Sequence, residues 1–568
     1  MLRCAAVPDS LAATSLTRRL DARLQRLLDG RPVWVLLWAT SFLLLLALYA
    51  PALRGEFLSD DYGFVVNNPW VRAPSAENVL AILDPWGDAA EFAANWAPVH
   101  LLLHAAEWQI FGSDVRGYHV TNLALHALAS VLLVACYRRS RIPALAALLG
   151  GAFFLLHPAN VEAVAWISEI KTLAAMVLAL GALLLQQRRP ALAGLLFALA
   201  LLSKALAVFA LPVAIVALYC RKPRGSAALR DWCWIGVWLL VFAFYAGPQW
   251  HTFQRLGQTE LGLHPDPLVA ARTVVSFVAR YLAMAFGGYG LSAFHDPPRA
   301  LSWFDPWWLV GLAATGLFAV RAVQALARRQ QETVYWAWVL GGWIPISQLF
   351  PFTYPLGDRY LYVPMAGLIG AGLLAGSAAW TGWQARFAAP GQAPPSARLA
   401  DLALVLGSIW IAVFAAMVPA RAAVWRSEPI LMLDASRHYP DGIQAHLNRA
   451  MRAGEQGDAE SAAASLRLAR EKGYDQFMAL DLIGAFEPIR RHPKFLAAKA
   501  DLAALWLSRD QKRSDPNQAE LRVAAMAHLA RGEREEALRA LERAREQGGP
   551  LQADVEQRLE ALRREMSR

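Results

Sequence analysis

The sequence predicts an all-α polytopic membrane protein with a soluble helical tail, on three observations. Of 568 residues only 18% are charged and the mean hydropathy is +0.30. Counted with Gly in place of Tyr, about 60% are apolar, against roughly 45–50% in soluble globular proteins. Apolar runs of bilayer length alternate with short basic segments. After residue 420 the composition turns abruptly to Ala, Arg and Glu. These features exclude a soluble globular enzyme, a wholly disordered chain and a fibrous repeat. The net charge of +10 does not point to nucleic acid, because the Arg clusters sit between apolar runs, where they orient a chain in the bilayer. Four cysteines (Cys4, Cys136, Cys220, Cys233) show no CxxC spacing and read as small packing residues.

Residues 1–31, with Arg3, Arg18, Arg19, Arg23, Arg26 and Arg31, form a basic cytoplasmic N-terminus, too long and without the cleavage site of a signal peptide. The apolar run 33–53 is the first span. Further spans are expected near 117–137, 142–157, 166–185, 191–203, 205–220, 232–249, 307–325, 334–350, 359–380 and 401–420, about eleven in all. Alternation from an inside N-terminus puts RRSR (138–141), QQRRP (186–190), RKPRG (221–225), ARRQ (327–330) and WQARF (383–387) in the cytoplasm, as short basic loops should be. This parity needs 191–220 to be two short helices turning at Ser203-Lys204, and 268–290 to be a re-entrant or interfacial element. The transmembrane domain is then 32–420, with a long first extracytoplasmic loop at 54–116. The tail, 421–568, falls outside after an odd number of spans, so it is expected in the periplasm. Within it, the stretch Gly457 to Ala469 recurs 75 residues on as Gly532 to Ala544, roughly two tetratricopeptide periods with an insertion; a plain helical bundle is the competing reading.

The strongest chemical signal is Phe57-Leu58-Ser59-Asp60-Asp61-Tyr62, followed by Asn67-Asn68-Pro69, directly after the first span. Adjacent carboxylates repel, which raises one pKa and suits it to take a proton from a hydroxyl, while the other orients. A solvated loop pair or a helix N-cap explains the same residues. Other polar groups stand at the outer ends of spans, where ionisable side chains are expensive and tend to mark function: Asn95, His100, His157, Glu162, Glu169, Lys171, Lys204, Asp358, Arg359 and Tyr360. Lys171, Lys204 and Arg359 share the side of Asp60, so together they suit an anionic phosphate. The bland alternatives are snorkelling for Lys204 and ion pairs to Glu169 and Asp358 for Lys171 and Arg359. His119 and His126 read as packing residues. No HExxH, GxSxG or P-loop sequence occurs.

Taken together, FLSDDYGFVVNNP (57–69), Asn95-Trp96-Ala97-Pro98 with GYHVTNLALH (117–126), HPANVEAVAWISEIKTLA (157–174), LLSKALAVFALP (201–212), YLAMAFGGYGLSAFHDPP (281–298) and GDRYLYVPMAGL (357–368) resemble the tetratricopeptide-bearing membrane glycosyltransferases of the GT-C superfamily. These are bacterial relatives of the transmembrane and tetratricopeptide-repeat O-mannosyltransferases. The chain departs from the family at Ala97, where His is common after Asn-Trp, and at Ile170 and Thr172, where Arg and Asp are common. The resemblance implies a GT-C bundle, a polyprenyl-phosphate-linked sugar as donor and inversion at the anomeric carbon. It also implies that Asp60 or Asp61 is the base.

The expected function is therefore transfer of a sugar from a polyprenyl-phosphate carrier to an extracytoplasmic acceptor, a protein Ser or Thr hydroxyl or a glycolipid, at the cytoplasmic (inner) membrane. Asp60 and Asp61 are the catalytic candidates, and Lys171, Lys204 and Arg359 the candidates for the donor phosphate. His100, His157, Glu162, Glu169, Asp358 and Tyr360 stand behind them. No cofactor is required by the sequence, although the Asp pair could join other oxygens on a divalent metal. The competing functions are a repeat scaffold for envelope assembly and a transporter of lipid-linked sugars.

Overall fold

The structure is a computed structural model describing residues 16–73, 75–93, 95–221, 225–255, 266–349, 354–387, 396–510, 516–549 and 551–567. Arg3, Cys4, Lys222, Pro223 and Arg224 lie outside the described residues, as does the side chain of Arg386. Among the described residues the chain is helical with no strand, and it is an all-α polytopic membrane protein. Eight described helices are long and apolar enough to cross a membrane: Arg31–Leu48, Val115–Arg139, Ile167–Leu185, Ala228–Thr252, Pro267–Gly287, Pro306–Ala327, Asp358–Gln384 and Leu399–Val424. Ala144–Leu155 and Pro158–Ala165 make a ninth if taken as one span, bent by 48° at His157-Pro158, where proline removes a donor and breaks the ladder. Pro190–Ser203 and Ala205–Arg221 are shorter apolar helices parted at Lys204.

One segment differs from the sequence reading. The span expected at 334–350 is a helix of only 12 residues, Glu332–Trp343, running into a 3-10 turn at Ile344–Ile346. Twelve residues rise about 18 Å, short of a bilayer core of about 30 Å, and Pro345 ends the regular ladder. The segment 268–290, expected to be re-entrant or interfacial, holds the continuous helix Pro267–Gly287 of 21 residues.

Contacts nevertheless bring the chain back to the face it left. His251 packs its ring on Trp86 of the first loop, 4.8 Å between centroids, and the carbonyl of Ala285 accepts from His157 Nε2 at 2.9 Å. The opposite face collects the basic clusters: Arg138 reaches Gln25, Arg139 the carbonyl of Leu184, Arg221 pairs with Asp231, and Arg329 lies 4.2 Å over Tyr219. The helix Leu16–Leu28 joins that face, where Asp21 accepts from Leu145 N at 2.8 Å. Burial sorts the helices. The windows in Ile167–Leu185 and Val115–Arg139 are 72% and 61% buried, whereas those in Arg31–Leu48, Pro306–Ala327 and Leu399–Val424 are 11% buried and present leucines outward, as lipid-facing helices do. Close approach inside the bundle relies on small residues: a Cβ on Gly370 would meet the Tyr335 ring at 2.3 Å.

From Ile443 onward helices pair over apolar clusters of their own, whereas Leu431 of the first tail helix belongs to the bundle core. Gly457 (φ +74°) and Gly532 (φ +79°), the equivalent glycines of the recurring stretch, each turn the chain between two paired helices in the left-handed region. The first tail helices dock on the bundle. Glu56 N donates to Arg426 O at 3.2 Å, Asp434 accepts from Ala293 N at 3.0 Å, and Asp296 accepts from Ile443 N at 3.0 Å.

Candidate active site

The Asp pair follows the 3-10 turn Ala52–Arg54 that closes the first span. Ser59 adopts φ +50°, unusual for a residue with a side chain, and this turn sends the two carboxylates in opposite directions. Asp60 is exposed. Asp61 is 1% exposed and is consumed by the fold, accepting from Leu58 N at 2.9 Å, Ser168 N at 2.8 Å and the Ser168 hydroxyl. Burial pushes the Asp61 carboxyl up to about 6, partly offset by these hydrogen bonds. The expected cause, repulsion from Asp60, is not the one at work. Because the two groups point apart and Asp61 has spent its oxygens on backbone and serine donors, the pair does not converge on one ion. Among the described residues no group of three His, Cys, Asp or Glu side chains is set to hold a metal.

Asp61 thereby grips the break between Val161–Ala165 and Ile170–Leu185. The same break is held by Asn122 Nδ2, which donates to Trp166 O at 3.0 Å, and by Trp166 Nε1, which donates to Leu58 O at 3.3 Å. One residue beyond Ser168 lies a buried charge cluster. Lys204 Nζ pairs with Glu169 at 2.9 Å and donates to Thr172 Oγ1 at 2.6 Å. Arg359 pairs with Glu162, whose other oxygen accepts from Arg359 N at 2.7 Å, and approaches Glu169 at 3.7 Å. The guanidinium also donates to Tyr360 Oη at 3.1 Å and lies 5.1 Å over Trp166. Lys171 stands in the field of Glu169, but its ammonium rests 4.5 Å over the Phe64 ring, and it has no carboxylate partner within ion-pair distance among the described residues. Three cations face two carboxylates here, which leaves one positive charge uncompensated and Lys171 the one without a partner.

His100 is buried under Phe64, 4.8 Å between rings; burial and the nearby His104 and Lys171 hold its imidazole well below its ordinary value, so it is neutral at pH 7. The ion pairs named as the alternative to phosphate binding are not the ones formed. Lys204, not Lys171, takes Glu169, and Glu162, not Asp358, takes Arg359. Asp358 instead accepts from His295 Nε2 at 2.8 Å and pairs with Arg421 at 3.4 Å, which itself reaches Asp434 of the tail at 2.8 Å. His157 is likewise a clasp: Nε2 holds Ala285 O, Nδ1 accepts from Ala159 N at 3.1 Å, and the ring packs on Phe414. Neither touches the cations. His126 bonds Tyr362 Oη and Leu155 O, so it packs, as expected.

The side chains missed from sequence are Ser168, Thr172, Phe64, His295, Arg421 and Tyr354, whose phenol burial and the Asp60 charge push up. Ser168 and Thr172 had a signal, a hydroxyl on either side of Glu169 at a helix start. Arg421 had one as the first charge after a long apolar run.

No family model and no solved structure matches the chain. Curated relatives do. It is 33% identical over 150 residues, 25% of this chain and 15% of the relative, to protein O-mannosyl-transferase TMTC1 of Mus musculus. It is 30% identical over 121 residues, 21% of this chain and 14% of the relative, to protein O-mannosyl-transferase Tmtc1 of Drosophila melanogaster. It is 27% identical over 166 residues, 26% of this chain and 22% of the relative, to protein O-mannosyl-transferase TMTC4 of Homo sapiens. The matched stretches thus span about a quarter or less of each relative's length. What this chain is similar to, over that stretch, is a set of protein O-mannosyl-transferases.

Proposed function

We propose that the chain is a membrane glycosyltransferase of the GT-C type that moves a sugar from a polyprenyl-phosphate carrier to a protein hydroxyl on the extracytoplasmic side. The observation that carries this reading is the pairing, at one end of the bundle, of an exposed Asp60 with a cation cluster tied to it through Asp61, Ser168 and Glu169. In this reading Asp60 takes the proton of the acceptor hydroxyl as its oxygen bonds to the anomeric carbon. The bond from that carbon to the phosphate oxygen breaks, the configuration inverts, and the phosphate carries the electron pair away toward Lys171, Lys204 and Arg359. A positioned base is worth on the order of 10²–10⁴-fold, and a cation facing developing phosphate charge a few kcal/mol. Lys171 meets the phosphate most directly, since Lys204 and Arg359 already share Glu169 and Glu162. Asp61 is a positioning residue.

The basic face is the cytoplasmic one in this reading, because Lys and Arg are retained inside, which places Asp60 and the tail in the periplasm of a cytoplasmic-membrane protein. The tail, read as tetratricopeptide-like repeats, recognises the acceptor polypeptide. Its docking beside Glu56 keeps a captured segment near Asp60 and raises its effective concentration. The test is mass spectrometry of envelope glycoproteins and glycolipids with and without the protein and its Asp60→Asn variant. Glycoforms lost in both are expected. An unchanged inventory contradicts the proposal, and loss of a partner interaction on deleting 421–568 with no effect of Asp60→Asn or Asp61→Asn would favour a scaffold.

A further inference from the structure

At the seam between bundle and tail lies a cavity of about 1380 Å³. Its bundle side is built from the C-terminal half of Pro267–Gly287, the segment 288–301 and the last turns of Ser396–Val424; its tail side comes from 434–442 and from Glu471 and Lys472. Two of its cations are spoken for, Arg421 by Asp434 and Lys472 by Asp441. Arg280, Arg299 and Arg437 line it with no ion pair among the described residues. Arg280 stacks its guanidinium 4.7 Å over Trp307, and its Nε is buried without a hydrogen-bond partner. The remaining carboxylates are Asp296, which accepts from Ile443 N, and Glu471, so the balance is positive.

The surroundings identify the depth. Tyr289 projects from the segment 288–301 and Trp303 and Phe304 from just beyond it, 68%, 56% and 86% exposed, and Phe286 and Leu301 are exposed as well. Aromatic side chains gathered at one end of a transmembrane bundle mark the level of the lipid headgroups. Met417 and Ala420 also line the cavity, on the helix Leu399–Val424 whose apolar window is only 11% buried.

We propose that this cavity holds the phosphate of an anionic membrane lipid, with Arg280, Arg299 and Arg437 on the headgroup and the acyl chains along Met417 and Ala420. Arginine suits this role because its planar fork binds phosphate oxygens in pairs and stacks on tryptophan at little cost. The site is separate from the Lys171 cluster, with the Asp358–Arg421 pair standing between the two. A lipid there bridges bundle and tail and so sets how the tail sits over Asp60. This assignment does not depend on transfer chemistry.

The test is native mass spectrometry of the full chain, extracted from nanodiscs containing phosphatidylglycerol or phosphatidylcholine alone. It compares the wild type with Arg280→Gln and with the double variant Arg299→Gln and Arg437→Gln, whose two side chains are exposed and outside the packed core. Retention of phosphatidylglycerol over phosphatidylcholine by the wild type, weakened on the order of tenfold in each variant, is expected. Equal retention of the two lipids, or retention unchanged in the double variant, overturns the site. Displacement of the lipid by millimolar inorganic phosphate, or by a polypeptide segment, would overturn the lipid as its occupant.

Discussion

Asp60 and Asp61 are neighbours in sequence and opposites in environment, so their substitutions separate. Asp60→Asn is expected to lower transfer by on the order of 10²–10⁴-fold with little change in melting temperature, because the exposed carboxylate holds nothing together. Asp61→Asn keeps one acceptor oxygen but turns an amide toward a backbone donor, so the loop and the Ser168 break loosen and stability falls. The pH dependence has a definite sign. Burial raises the folded Asp61 carboxyl to about 6 from an ordinary 3.8, so the folded chain holds this proton more tightly than the unfolded one. Its contribution, about 3 kcal/mol at most, is full below about pH 4 and lost as pH rises through about 6. Wild-type melting temperature should carry that fall, and Asp61→Asn should lack it. The cations separate as well. Lys171→Gln should weaken donor binding without destabilising the protein. Arg359→Gln should also cost about 3–5 kcal/mol in a melting measurement, because it strands buried Glu162. At this scale the Asp pair and the three cations were legible, because charges bordering apolar runs stand out. Their partners were not, since an ion pair between residues 162 and 359 depends on which helices meet.

The elements that matter most are the interruptions. Ser203-Lys204 parts two short apolar helices as the parity of basic loops requires, and the break at 166–169 is held by Asp61, Asn122 and Leu58. The truncated Glu332–Trp343 was not legible. Apolar length alone does not reveal where a chain turns back, and Pro345 and contacts far along the chain decide it. The tail was legible only in part. Its recurring glycines announced paired helices, but its attachment was invisible, because Asp434, Tyr439 and Asp296 look like solvated residues until the fold brings them to Arg421, His295 and Ile443. A truncation ending at residue 425 removes Asp434 from Arg421 and Tyr439 from His295, leaving both residues to Asp358 alone. It should lose donor binding, measured with a labelled polyprenyl-phosphate sugar, whereas a truncation ending after Gly442 keeps both contacts and should bind donor while failing to modify its protein acceptor.

For the whole molecule the decisive property is sidedness. Among the described residues Arg138, Arg139, Arg221 and Arg329 gather at one end of the bundle and the Asp60 loop with the tail at the other, the separation expected where positive loops resist translocation. Reporter fusions after Arg139 and Arg188 should read cytoplasm, and fusions after Asn68 and Gly442 the outside; an inside result at Gly442 would separate the tail from Asp60. The central claim is that Asp60 activates an acceptor hydroxyl beside a bound lipid phosphate. Its most direct test is single-turnover transfer from a labelled polyprenyl-phosphate sugar by the full-length protein and its Asp60→Asn variant, with donor binding measured on both. The account predicts equal donor binding and transfer slowed by at least about a hundredfold in the variant; transfer at the wild-type rate by Asp60→Asn would contradict it.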